Sequence, residues 1–167
     1  AKWHAAHLST ADALNSIRRA KDQQINVTAG TAPHYHALND LEVGEYRTFA
    51  RVSPPLRVEE DRMAVGDALA DGTIDVISSQ HLPQSADSKR LPFAQAKPGV
   101  IGLETMLPVS LRLFHNQQMD LLTLLRTMTV APAKLLGLDA GRIEKGKPAD
   151  LCLFDLNRPW QVVGSEP

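Results

Sequence analysis

The sequence predicts an α/β fold built on a parallel sheet, of the kind found in barrels. Three segments have the composition of short buried strands, at residues 3–8, 25–30 and 73–79. Helical patterns separate them, and strands that alternate with helices pair in parallel through crossover connections. The third strand also ends in mostly polar side chains between Ser78 and Gln84. Parallel α/β barrels carry their chemistry at the carboxyl ends of the strands, so this corner is the candidate site.

The helices are predicted from the period of their apolar residues and from the residues at their ends. Ser9, with Asp12 three positions later, is typical of a helix start, and the apolar residues that follow lie on one stripe as far as Lys21. Similar features predict four further helices, at residues 59–70, 103–115, 121–128 and 131–137.

Two parts of the chain are expected to be less regular. Residues 80–98 are too many for a simple turn and form a long polar loop. The polar composition of residues 82–98 predicts that they are mobile or poorly packed when substrate and the amino-terminal half of the barrel are absent. From Gly141 onward the sequence is rich in turn residues, and residues 151–156 are apolar enough to form one more strand.

Composition excludes several classes of function. The 167 residues are 43% hydrophobic, which is enough for the core of one domain, and 18 basic residues against 19 acidic ones leave a net charge of -1. Without a basic face the chain is not expected to bind nucleic acid, and without an apolar run of about 20 residues it is not expected to span a membrane. The single cysteine, Cys152, favours a cytoplasmic protein with a buried thiol. Because the sequence opens without a methionine, we expect it to be a piece of a longer protein.

Three stretches resemble the dihydroorotases of the cyclic amidohydrolase family. Residues 74–84 are similar to the last barrel strand of those enzymes, and residues 99–105, Gly-Val-Ile-Gly-Leu-Glu-Thr, to the segment that closes the following loop. Residues 146–151 are similar to a turn and strand of the small β-sandwich that accompanies such barrels. The resemblance implies the carboxy-terminal part of a (β/α)8 TIM-type amidohydrolase barrel in residues 1–137, plus a piece of the β-sandwich domain in residues 138–167.

The resemblance also implies roles at the predicted strand ends. His7 lies in a segment whose second histidine binds a catalytic metal in the family, and neutral imidazole suits zinc. A strand-end histidine held by a hydrogen bond is the alternative for His7. Gln80 stands where the family has an aspartate that serves as metal ligand and proton-transfer base, and glutamine supplies neither charge nor basicity. His81 is the alternative group for proton transfer, although neighbours on a strand point in opposite directions.

Four residues are candidates for contact with a substrate. Residues 53–57, Ser-Pro-Pro-Leu-Arg, resemble a family segment in which asparagine stands at the position of Ser53 and binds the substrate ring. Gln84 stands at the position of a substrate-binding histidine, whereas Pro98 and Gly99 match the pair that binds substrate through its backbone. A rigid proline turn without substrate contact is the alternative for Ser53.

Two further histidines, His34 and His36, suggest a metal site by their spacing. The segment has no carboxylate nearer than Asp40, and Tyr35 stands where the family has a second histidine. We therefore predict that both histidines are structural residues of a loop.

The resemblance implies the dihydroorotase reaction of pyrimidine biosynthesis, in which a cyclic amide, dihydroorotate, and carbamoyl aspartate are interconverted with zinc as cofactor. This chain alone is expected to be inactive and to hold no zinc tightly, because it lacks the other ligands that the family uses. One alternative is a non-catalytic homologue that forms a homo-oligomer or serves as a structural partner of aspartate carbamoyltransferase. Another is a ring-opening hydrolase of the hydantoinase or allantoinase kind.

Overall fold

The structure, a computed structural model, describes residues 1–159 and 161. Within them the strands are β1 at Trp3–Ala5, β2 at Val27–Thr31 and β3 at Val76–Ile77. The α-helices of the same residues are α1 at Ala11–Asp22, α2 at Pro33–Ala37, α3 at Glu59–Ala70, α4 at Ala86–Lys89, α5 at Leu103–His115, α6 at Leu121–Met128 and α7 at Val130–Leu136. Short 3-10 helices lie at Asp40–Val43 and Thr48–Ala50. None of these helices is long and apolar enough to cross a membrane.

The three strands form a parallel sheet in the order β1-β2-β3. His4 pairs with Thr28 between the first two strands, and Gly30 pairs with Val76 between the second and third. Helix α1 connects β1 to β2, and α2 and α3 lie between β2 and β3 in the chain. The prediction of parallel strands joined through helices is confirmed.

Each strand is shorter than predicted, because other groups satisfy the backbone at its ends. The N–H of Ala29 donates to the carboxylate of Asp75 at 2.8 Å, where the next strand would otherwise offer a carbonyl. The N–H of Ile74 donates back to the carbonyl of Ala68 in α3, also at 2.8 Å. The β2–β3 ladder therefore closes only at the carboxyl end of β2, whereas β1 pairs with β2 from Trp3 and Val27 onward.

The hydrophobic core joins the third strand to the helices around it. Its largest fully buried apolar side chains are Leu14, Val65, Leu69, Ile74, Ile77 and Leu124. Burying one such side chain contributes about 1.5–3 kcal/mol. This core fixes the strands whose ends carry the candidate site.

The N-cap of helix α1 lies one residue after Ser9, the residue that the sequence predicts as the cap. Thr10 is the N-cap, and its Oγ1 accepts a hydrogen bond from the N–H of Ala13 at 3.3 Å. Ser9 is buried, and its hydroxyl accepts a hydrogen bond from Nε of Arg57 at 3.4 Å. The predicted capping pair of Ser9 and Asp12 is wrong, because Ser9 makes a tertiary contact instead.

Thr10→Ala is expected to lower the free energy of unfolding by about 1 kcal/mol, because alanine cannot accept the N-cap hydrogen bond. Urea denaturation of the variant and the wild type measures the difference. Asp67→Ala, at an exposed position inside α3, is the control and is expected to be neutral or slightly stabilising. An equal loss in both variants would contradict the capping role of Thr10.

The long loop, residues 80–98, is mostly exposed and has two buried residues. It contains α4, and Lys89 and Ala96 are 5% and 1% exposed. Most of residues 82–98 are exposed, as their polar composition predicts, and polar contacts with residues 46–52 hold the loop at Lys89. The mobility of the loop stays a prediction.

Residues 151–156 form no strand in the described part of the chain. Leu153 is 100% exposed, and none of the described strands pairs with this segment, so its backbone has no ladder to join. Cys152 is exposed, which makes the prediction of a buried thiol wrong. The division between residues 1–137 and 138–167 stays a prediction.

Candidate functional site

The candidate site lies where the three parallel strands end. His7 follows β1, His34 lies in α2 directly after β2, and Gln80 follows β3. The backbone turns sharply at two of these positions, since His7 and Gln80 have φ angles of 55° and 45° in the left-handed region. The prediction that His7 and Gln80 lie at the same end of the sheet is confirmed, because β1, β2 and β3 run in parallel.

The residue after His7 is tied to the second strand. The N–H of Leu8 donates to the carbonyl of Gly30 at 2.8 Å, and the hydroxyl of Thr31 donates to the carbonyl of Leu8 at 2.8 Å. Both bonds are made by Leu8, and they hold the residue after the turn at His7 against β2.

The side chain of Gln80 contacts the proline turn that begins at Ser53. Its Nε2 donates to the backbone carbonyl of Ser53 at 2.6 Å. The hydroxyl of Tyr35 donates to the next carbonyl, that of Pro54, at 2.8 Å. Three positions where the sequence departs from the dihydroorotase pattern, Tyr35, Ser53 and Gln80, therefore meet in one group. We call these three residues with Pro54 the central cluster.

The central cluster is neutral near pH 7. Burial raises the pKa of Tyr35 to about 12, and the amide of Gln80 and the charge of Arg57 oppose this shift. Burial lowers the pKa of the adjacent His34 to about 4, the amide of Gln80 opposes that shift, and His7 adds to it. The tyrosine thus keeps its proton, and the His34 imidazole stays uncharged.

Two buried polar atoms beside the cluster lack a hydrogen-bond partner among the described residues, Nε2 of His34 and Oε1 of Gln80. The two side chains are close enough for Gln80 to affect the pKa of His34, but these atoms do not meet at hydrogen-bond geometry. His34 is 9% exposed and lies in helix α2. It is therefore a buried helical residue, which corrects the prediction of a loop.

The donors at the strand ends do not complete a catalytic zinc site by themselves. In residues 1–159 and 161, no three side chains of histidine, cysteine, aspartate or glutamate converge. His7 fits a ligand position, because it is an imidazole held at a strand end near the cluster. Gln80 does not fit the position of a charged ligand, since it is neutral and its nitrogen is bonded to Ser53.

His81 contacts the start of helix α5. Its Nδ1 accepts hydrogen bonds from the N–H groups of Gly102 at 3.1 Å and Leu103 at 3.4 Å. Gly102 is required here, because a Cβ at that residue would lie 2.3 Å from the carbonyl oxygen of Ser79. His81 therefore holds the loop end and the helix together, and the structure gives it no hydrogen bond to Gln80.

Gln84 lies over the Pro98-Gly99 pair. A Cβ on Gly99 would come within 3.1 Å of Cγ of Gln84 and within 2.3 Å of the carbonyl oxygen of Leu82. Gly99 also has a φ of 145°, which favours glycine. The N–H of Gly99 donates to the carbonyl of Arg51 at 3.0 Å. Gln84 and Gly99 are thus brought together, but the Gly99 N–H already has a partner inside the protein.

Sequence reasoning missed Lys89. The side chain is buried and its Nζ donates to two backbone carbonyls, of Thr48 and Arg51. A single lysine in a polar loop carries no periodic or spacing signal, so only the tertiary contact reveals it.

Comparison with known proteins agrees with this geometry. The model of the amidohydrolase family matches residues 2–167. A dihydroorotase of Wolbachia sp. subsp. Drosophila simulans is 44% identical over 160 residues, which are 96% of this chain and 36% of that protein. A dihydroorotase of Geotalea daltonii is 46% identical over 159 residues, 95% of this chain and 37% of that protein. The chain thus spans little more than a third of the length of these curated relatives.

Solved structures show the same fold. A dihydropyrimidinase from Brevibacillus agri superposes with a TM-score of 0.82 at 25% identity, covering 89% of this chain and 34% of that one. An L-hydantoinase from Arthrobacter aurescens superposes with a TM-score of 0.81 at 27% identity, covering 87% of this chain and 34% of that one. The chain belongs to the amidohydrolase family, and its parallel strands and helices are part of the TIM-type barrel of that family.

Proposed function

We propose that the whole protein is a dihydroorotase-like hydrolase of cyclic amides that interconverts dihydroorotate and carbamoyl aspartate in pyrimidine biosynthesis. The observation that carries this proposal is the identity of 40–46% to dihydroorotases over about 96% of the chain. The likeness to a hydantoinase and a dihydropyrimidinase supports a ring-opening reaction at an amide.

The candidate residues have distinct roles in this proposal. His7 is a metal ligand, and zinc is the metal. Ser53, Gln84 and the Pro98-Gly99 pair form the surface that contacts the substrate ring. Gln80 and His81 occupy the acid-base corner, but Gln80 is not itself a base near neutral pH. The ligands that complete a metal site belong to parts of the protein outside this chain, and this chain alone is expected to be inactive.

A second candidate function is that of a non-catalytic homologue. The amide of Gln80 is bonded to the Ser53 carbonyl, and the central cluster is neutral, so it brings no negative charge to a metal. Such a protein is expected to act through its surface, as a homo-oligomer or as a structural partner of aspartate carbamoyltransferase.

One experiment distinguishes the hydrolase from the non-catalytic homologue. Full-length protein is assayed with dihydroorotate and with carbamoyl aspartate, and its zinc content is measured after dialysis. Turnover that is lost on chelation and recovered with zinc supports the hydrolase. Absence of both zinc and turnover, together with co-elution with aspartate carbamoyltransferase, would refute it in favour of the partner protein. Turnover of hydantoin or allantoin but not dihydroorotate would reassign the substrate.

A further inference from the structure

Lys89 is a charged side chain buried without an acidic partner. It is 5% exposed, and its Nζ donates to the carbonyls of Thr48 at 3.0 Å and Arg51 at 3.2 Å. No carboxylate of the described residues forms an ion pair with it. Burial lowers the pKa of the Lys89 ammonium group, and the charge of Arg51 lowers it further. An ammonium ion in this position is costly unless its donors are satisfied, and the two carbonyls satisfy them in part.

The contacts around Lys89 join two separate parts of the chain. On one side is the long loop, and on the other are residues 46–52, which contain the 3-10 helix Thr48–Ala50. The hydroxyl of Thr48 donates to the carbonyl of Lys89, and the guanidinium of Arg51 donates to the carbonyl of Phe93. The Arg51 guanidinium also lies 5.7 Å from the centroid of the Phe93 ring. Each segment thus donates hydrogen bonds to carbonyls of the other, and these bonds hold the loop on residues 46–52.

This junction lies next to both halves of the candidate substrate surface. Residues 46–52 lead directly into Ser53, and the long loop leads into Gly99. One oxygen connects them, because the carbonyl of Arg51 accepts from Nζ of Lys89 and also from the N–H of Gly99 at 3.0 Å. The Arg51 carbonyl, two residues before Ser53, thus links the Lys89 ammonium group to the backbone of Gly99.

We propose that Lys89 is a positioning residue that holds the long loop on residues 46–52 and so sets the spacing between Ser53 and Gly99. The effect on substrate rests on the proposed function, whereas the effect on the loop does not. A role in stability alone would be better served by an apolar side chain of similar length, which fills the same space without desolvating a charge. The charge is therefore explained by the geometry that it imposes on two backbone carbonyls.

The first test is hydrogen exchange on the full-length protein. Lys89→Met keeps the length of the side chain and removes its donors, and Lys97→Met changes an exposed lysine of the same loop as the matched control. Exchange is expected to accelerate at least about tenfold in residues 46–52 and 82–99 of the Lys89 variant only, because hydrogen bonds to charged groups shift opening equilibria by such factors. Unchanged exchange in these segments, or equal acceleration in α1 and α6, would overturn the proposal.

Lys89→Gln provides a second variant for the case in which Lys89→Met does not fold. It keeps a polar side chain but removes the charge and is too short to make both bonds to the carbonyls of Thr48 and Arg51. The same two segments are expected to exchange faster, and protection equal to that of the wild type would contradict the proposal.

Dihydroorotate binding, measured by calorimetry, tests the consequence for the substrate. Lys89→Met is expected to weaken binding about tenfold, while Lys97→Met leaves it within about twofold. Equal affinity in all three proteins would overturn the positioning role. If the wild type itself binds no dihydroorotate, the proposed function fails, and the exchange experiment alone still decides the role of Lys89 in the loop.

Discussion

As the pH falls from about 6.5 to about 4, the free energy of unfolding is expected to drop by about 3 kcal/mol for each of two buried histidines. Burial lowers the pKa of both His34 and His36 to about 4. In the unfolded chain these imidazoles titrate near 6.5, so between the two values the unfolded state binds more protons than the native state. Their contribution to stability is therefore complete above about pH 6.5 and is lost as the pH falls towards 4.

His36 is the better probe of this effect, because it lies outside the central cluster. It is 3% exposed, and after burial the charges that lower its pKa come from Arg112 of α5, Arg62 of α3 and His34 of its own helix. All three neighbours are basic, so a proton on His36 meets no compensating carboxylate among them. Its Nε2 also has no hydrogen-bond partner in the described part of the chain.

His36→Gln in the full-length protein removes one of the two titrating groups. Between pH 7 and pH 4.5, urea denaturation is expected to show a loss of stability about 2 kcal/mol smaller for this variant than for the wild type. His115→Gln, at an exposed histidine at the end of α5, is expected to lose as much as the wild type. The comparison uses the difference between the two pH values within each protein, so a change in overall stability does not affect it. A loss in His36→Gln equal to that of the wild type would show that His36 does not remain neutral.

The helices could be predicted because their signals are local. Helices α3, α5 and α6 begin and end where the sequence places them. An apolar stripe runs through α5 and α6, whereas α3 is recognised by the Asp71-Gly72 turn that ends it. Asp120, for example, accepts the hydrogen bond from the N–H of Thr123 at the start of α6. The strands were predicted in type and pairing but not in length, because the carboxylate of Asp75 replaces a backbone acceptor near the start of β3.

The candidate site was predicted in position but not in its contacts. Parallel pairing alone brings His7 and Gln80 to one end of the sheet. The hydrogen bond from Gln80 to Ser53, however, joins residues 27 positions apart, and no local sequence pattern predicts it. The burial of the two histidines of α2 agrees with the prediction that they are structural, but no local pattern predicts that they lie in a helix.

Gln80→Asp is expected to change activity and metal-free stability in opposite directions. In the full-length protein, the absence of an acid-base group at residue 80 predicts a rate with dihydroorotate about 10²–10⁴-fold below that of a dihydroorotase with aspartate there. Restoring the carboxylate is expected to recover part of this deficit, provided that the rest of the protein supplies the remaining ligands. In chelated protein, aspartate cannot donate to the Ser53 carbonyl, and the free energy of unfolding is expected to fall by about 1–3 kcal/mol.

Gln117→Asp is the matched control for this substitution. Gln117 has a φ of 59°, in the same left-handed region as Gln80, but it is exposed in the turn after α5. The control therefore reproduces the change of side chain and backbone preference without the central cluster. It is expected to leave both the rate and the unfolding free energy close to the wild type.

The two measurements on Gln80→Asp decide between a hydrolase and a non-catalytic homologue. A gain in rate with zinc, together with a loss of stability under chelation, means that the residue at position 80 alone decides between a metal-dependent site and the neutral central cluster. A loss of stability with no gain in rate means that the other departures, at Tyr35 and Ser53, also block the reaction, and favours the partner protein. If the wild type already turns over as fast as a dihydroorotase with aspartate, and Gln80→Asp leaves the rate unchanged, another residue is the base. The acid-base assignment of Gln80 would then be wrong.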